Sequence, residues 1–197
     1  MDPGPKIFGV VALALGLVFV LAEAEPRLPG NHQGFEPEQP IAFSHRLHAG
    51  ELAMDCLYCH YGAARSRHAG IPATSVCMNC HKVVKAGRDA ILEEEALAAA
   101  ESRAARPIVS PELGKLYAAL GLDPDLARNA DREPATIPWV RVHQLPDFVW
   151  FDHSVHVARK VACESCHGPV QSMERVRQES SLSMGWCVAC HRSTPAA

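Results

Sequence analysis

The chain has 197 residues and a formal net charge of -3, which suits one domain or two small ones and leaves no basic footprint for nucleic acid. Aromatic residues make up only 6%, and much of the 48% apolar fraction is alanine, which buries little surface per residue. A core built mainly of large side chains is excluded, so another source of buried apolar area is needed.

The first element is the apolar run Ile7–Ala22, IFGVVALALGLVFVLA, with Lys6 before it and Glu23 and Glu25 after it. It is longer than most signal-peptide cores and just short of a comfortable membrane span, and Ala22-Glu23-Ala24 would serve as a cleavage sequence. Residues 1–24 are therefore expected to be a retained signal anchor or a cleaved signal peptide; either takes Glu25 onward across a membrane. A buried core helix is disfavoured because the run is terminal and uncharged. Residues 25–40 hold four prolines and two glycines and read as an extended tether without packed structure. His32, inside this stretch, is not expected to be a ligand.

Residues 41–84 contain Phe43-x-His45-x-x-His48, then Cys56-Leu-Tyr-Cys59-His60 and Cys77-Met-Asn-Cys80-His81. Residues 85–138 form an insertion. Its first part, GRDAILEEEALAAAESRAAR, is rich in helix formers and predicts a solvated helix that ends before Pro107. Its second part, SPELGKLYAALG, predicts a helix capped by Ser110, opened by Pro111 and stopped at Gly121. Leu113, Leu116, Tyr117 and Leu120 make its apolar face, expected to pack on the core. Residues 139–197 then repeat the first half: Phe151-x-His153-x-x-His156, followed by Cys163-Glu-Ser-Cys166-His167 and Cys187-Val-Ala-Cys190-His191.

All eight cysteines fall into the four C-x-x-C-H copies, so none is left for a disulfide. C-x-x-C-H is the attachment sequence for c-type haem: two thiols bond the vinyl groups, and the adjacent imidazole lies under the iron. Paired C-x-x-C spacings also suit Cys₄ zinc ribbons, but zinc gives no reason for a histidine after every second cysteine. The expectation is four covalently attached c-type haems with His60, His81, His167 and His191 as proximal ligands. Four haems need four distal ligands, and the two His-x-x-His pairs supply four. Spacing of three residues on one helical turn lets neighbouring imidazoles reach different irons. His45 is expected opposite His60, His48 opposite His81, His153 opposite His167 and His156 opposite His191, with pairing across the halves as the alternative. His143 and His68 are reserve ligands. Met54, Met78, Met173 and Met184 could supply axial thioethers, though packing is the more common role of methionine. Iron held by two imidazoles has no open position, so such sites move electrons and do not activate substrate. The fold class expected is mostly α and irregular, with haems as the core.

Phe-x-His-x-x-His followed by C-x-x-C-H resembles the class III multihaem cytochromes c. More narrowly, QPIAFSHRLHAG, CMNCH, IPWVRVHQLPDFVWFDHSVHV, CESCHGPV and LSMGWCVACHR are similar to the multihaem cytochrome c subunit of alternative complex III, a bacterial quinol:electron-acceptor oxidoreductase. The resemblance covers roughly residues 39–192. It implies one N-terminal helix tying the subunit to the periplasmic face of the cytoplasmic membrane. It also implies iron–sulfur and integral membrane partner subunits, and a monohaem cytochrome c or terminal oxidase as acceptor. The family's subunit carries five haems, where this chain has four motifs. Three other readings remain at this point: a free periplasmic tetrahaem shuttle, a multihaem reductase, and a zinc-ribbon binding module.

Overall fold

The structure, a computed structural model, describes residues 31–193 together with Leu13, Gly16 and Val18. Apart from those three positions, the expected anchor or signal at 1–24 lies outside the described residues, as do residues 25–30 of the tether. No helix among the described residues is long and apolar enough to cross a membrane.

Among the described residues the chain is helical and irregular, without strands; one isolated bridge joins Leu122 and Arg128. The first half consists of a π-helical turn Arg46–Glu51, helix α1 Cys56–Cys59, a 3₁₀ turn Tyr61–Ala64 and helix α2 Thr74–His81. The insertion holds α3 Arg88–Ala100 and α4 Pro111–Ala119. The second half follows the same plan as the first, with α5 His153–Ala158, α6 Glu164–His167, a 3₁₀ turn Val170–Ser172 and α7 Met184–Ser193.

The two halves clasp each other reciprocally. The π-helical turn of the first half packs on the 3₁₀ turn of the second, with Arg46 N donating to Met173 O at 2.9 Å and Ser44 Oγ donating to Glu174 Oε2 at 2.8 Å. Gly50 lies so near the Gln171 carbonyl that a Cβ would stand 2.3 Å from its oxygen, so only glycine fits there. In return α5 packs on the 3₁₀ turn of the first half. There Arg67 Nε donates to Phe151 O at 3.3 Å, and the guanidinium lies 3.4 Å above the Trp150 ring.

The tether differs from its expected unpacked state. Gly34 N donates to Gln178 O at 2.7 Å, Gln178 N donates to Phe35 O at 3.0 Å, and Gln39 and Val140 exchange two bonds of 2.9 Å. Its prolines keep the backbone extended, and an extended backbone has free N–H and C=O groups to pair with the second half.

In the insertion, α3 ends at Ala100, before Pro107 as the sequence predicts, and Ser102 turns the chain at φ 53°. The capping of α4 follows its sequence: Ser110 Oγ accepts from Leu113 N at 3.2 Å, Pro111 occupies the first turn, and Gly121 has φ 69°. Leu116 and Tyr117 are buried, and Tyr117 Oη donates to the His81 carbonyl, which ties the insertion to the second C-x-x-C-H motif. Glu94, buried on α3, accepts from Arg103 Nη1 at 2.5 Å and Arg106 N at 2.8 Å. Arg103 first, then the Arg106 amide, hold its carboxyl down at about 2. A depressed carboxyl contributes stability that is fully present above its ordinary value, 4.5, and is lost as pH falls through about 2. Acid titration of the holoprotein is expected to show a loss of helical circular dichroism in that window. Glu94→Gln should lack that step.

Among the described residues the buried apolar side chains are Ala63, Ala86, Ala98, Leu116, Tyr117 and Met173. Large apolar side chains elsewhere stand open, including Phe148 at 83% and Trp150 at 78% exposure. Among the described residues the polypeptide alone has almost no core.

Candidate haem centres

Each His-x-x-His pair begins a short helical segment. His45 caps the π-helical turn and His48 lies within it; Asp152 caps α5 by accepting from Ser154 N at 2.8 Å, and His153 opens that helix. Three residues on an α-helix turn the second side chain about 60° from the first, so the two rings address different points. The preceding phenylalanine sets both rings. Phe43 meets His45 edge-on at 4.9 Å and stacks on His48 at 4.3 Å; Phe151 meets His153 edge-on at 4.8 Å and stacks on His156 at 4.7 Å. The doubled phenylalanine is visible in the sequence, but its wedging role is not.

Each C-x-x-C-H imidazole faces one ring of these pairs. The centroids lie 6.4 Å apart for His45 and His60, 6.1 Å for His48 and His81, 6.3 Å for His153 and His167, and 6.0 Å for His156 and His191. A metal between two imidazoles, with bonds of about 2.0 Å, separates ring centroids by about 6.3 Å. The residues present therefore fit an iron held by two imidazoles at each motif.

The ring tautomers agree with that fit. The Nδ1 atoms of His48, His60, His81, His153 and His156 lie 2.7–2.9 Å from the carbonyl oxygens of Ser44, Gly70, Val84, Arg67 and Asp152. A carbonyl can only accept, so the proton sits on Nδ1 and the Nε2 lone pair is left for a metal. His45 Nδ1 is buried without a hydrogen-bond partner. Burial, with the imidazoles of His60 and His48 adding to it, pushes His45 down to about 4; burial, followed by His153 and His60, does the same to His167. Both rings are neutral at pH 7, the form that binds metal.

None of the eight cysteines forms a disulfide; Cys56, Cys80, Cys163 and Cys190 are exposed and Cys59, Cys77, Cys166 and Cys187 half-buried. Their mutual influence shows which motifs are neighbours. Burial and the nearby Cys77 raise Cys59; burial and the nearby Cys190 and Cys187 raise Cys166. Across the halves, burial and then Cys163, within hydrogen-bonding reach, raise Cys56. No three His, Cys, Asp or Glu side chains among the described residues converge on one point, as a zinc ribbon would need.

His143 does not stand across from a C-x-x-C-H imidazole but behind one: its Nε2 is 3.2 Å from His167 Nδ1. His68 is exposed, with its backbone carbonyl taking a bond from Ser66 Oγ at 2.7 Å. Met173 is buried as packing beside the inter-half clasp, and Met184 is exposed. His32 lies edge-on to Phe35 at 5.8 Å.

Residues 149–197 match a family described as cytochrome c7 and related cytochrome c. The chain is also 30% identical over 179 residues to the multihaem cytochrome c subunit of menaquinone reductase from Nitratidesulfovibrio vulgaris, with 79% of this chain and 69% of that protein covered. The alignment spans more than two thirds of both chains. On that ground the chain belongs to the multihaem cytochromes c, electron carriers with covalently attached c-type haem.

Proposed function

We propose that this chain is a four-haem electron relay, with His45/His60, His48/His81, His153/His167 and His156/His191 as its axial pairs. The observation that carries this reading is the set of four facing imidazole pairs at 6.0–6.4 Å. Cys56 and Cys59, Cys77 and Cys80, Cys163 and Cys166, and Cys187 and Cys190 supply the thioether attachments. Bound haem contributes a one-electron couple; the protein contributes ligands on both faces, which leaves no position for a substrate. A reductase needs one open face, and none of the four motifs lacks a facing ring. Thiol proximity supports the order Cys77 motif, Cys56 motif, Cys163 motif, Cys187 motif, with the Cys56–Cys163 contact as the crossing between halves.

The relay serves a quinone-linked complex in the bacterial cytoplasmic membrane, on its periplasmic face, beside iron–sulfur and integral membrane subunits. Both the resemblance to the alternative complex III subunit and the alignment with a menaquinone reductase subunit support this. The first implies quinol oxidation toward a monohaem cytochrome c or terminal oxidase. The relative's name favours the opposite direction, menaquinone reduction.

The test is haem stoichiometry and electron paramagnetic resonance on chain purified from membranes. Four haems per chain, all low-spin, are expected. Fewer than four, or a high-spin ferric signal in untreated protein, would overturn the relay. Release from membranes by osmotic shock would instead support the free shuttle. Prompt haem reduction by a quinol in the isolated complex separates the two directions.

A further inference from the structure

The irregular segment ahead of α5 is pinned at every step. Gln39 holds Val140, and Arg141 Nε donates to the His143 carbonyl at 2.9 Å. The fully buried Gln178 accepts from Gln144 N at 3.4 Å and donates its amide to Ser180 O at 3.0 Å. The side chain this framework delivers is His143, whose ring stands edge-on to His167 with centroids 4.4 Å apart and an interplanar angle of 84°.

This breaks the symmetry of the repeat. His60 opens the first half's haem pair and donates Nδ1–H to a backbone carbonyl, Gly70 O. His167 is its counterpart in the second half and meets a side-chain nitrogen instead. The axial pairing proposed above gives His167 Nε2 to the iron, so the His167 proton stands on Nδ1. His143 Nε2 must then be the acceptor, and His143's own proton stands on its Nδ1.

We infer that His143 is a positioning residue for the His167 haem: it fixes the plane of the proximal ring and, as a more basic acceptor than a carbonyl, makes His167 a stronger donor to ferric iron. Outer hydrogen-bond partners of ligating histidines act in this way, raising ligand basicity. The His167 haem is thereby held at a lower potential than a carbonyl-supported one. The inference rests on the axial pairing proposed above.

The experiment is a spectroelectrochemical titration, with paramagnetic resonance, of wild-type, His143→Ala and His143→Gln holoprotein. In His143→Ala one midpoint potential rises while the other three stay. A loss of about tenfold in ferric preference, in the range for such partners, reads as about 59 mV for one electron. Gln keeps a carbonyl acceptor and should raise the same midpoint by a smaller step. All signals stay low-spin, with one set of g-values altered. If the alanine variant yields no holoprotein, the glutamine variant decides by that single-midpoint rise. Unchanged potentials and g-values in the variants would overturn the inference. So would replacement of one low-spin signal by a high-spin one, since that would make His143 an iron ligand. Fewer than four low-spin signals in the wild type would sink the axial pairing itself, and this inference with it.

Discussion

Substituting His153→Ala in the assembled protein is expected to leave three haems six-coordinate and one with a vacant face. The ring of His153 lies parallel to that of His167, at 6° and 6.3 Å, and its Nδ1 is held 2.7 Å from Arg67 O. His143 is behind His167, on the wrong side to substitute. The variant should bind one carbon monoxide per chain where the wild type binds none, and one low-spin signal should become high-spin. Loss of a basic imidazole also favours ferrous iron, so one midpoint should rise. Because the Cys163 motif lies inside the proposed order, an electron reaching it would be trapped mid-relay. Throughput from quinone side to acceptor should fall at least about tenfold, since each 59 mV of trap depth is a tenfold change in equilibrium. Carbon monoxide binding to the wild type, or none to the variant, would contradict the assignment.

Chain produced without haem attachment is expected to show no cooperative unfolding transition by calorimetry. Among the described residues the buried apolar set contains three alanines and three larger residues, Leu116, Tyr117 and Met173. Burial of a large side chain contributes about 1.5–3 kcal/mol, whereas ordering the backbone costs about 1–2 kcal/mol per residue. Three such side chains cannot hold the fold. Apolar surface stands open at Phe148, Trp150, Val83 and Val84, each more than half exposed, and bound haem would supply the missing buried area. The one local unit with a prospect of residual structure is α4, which has a serine cap and the two most buried large residues of the insertion, Leu116 and Tyr117. A sharp transition in the apo-chain, with native near-ultraviolet dichroism, would show that the protein carries a core of its own.

Much of this protein is local chemistry, and local chemistry is legible in order along the chain. The eight cysteines, the four histidines that follow them, the two His-x-x-His pairs and the capped α4 are all spacing signals, because thioether attachment, helix pitch and N-caps act over a few residues. Other features depend on atoms far apart in sequence, and only the tertiary structure decides them. The reciprocal clasp joins Arg46 to Met173 and Arg67 to Phe151, the tether residue Gln39 pairs with Val140, and Cys56 meets Cys163 across the halves. His143 carried the same sequence signal as any reserve ligand. Its place behind His167 follows from Gln178 and Gln39 pinning the segment, long-range contacts that no periodicity or motif encodes.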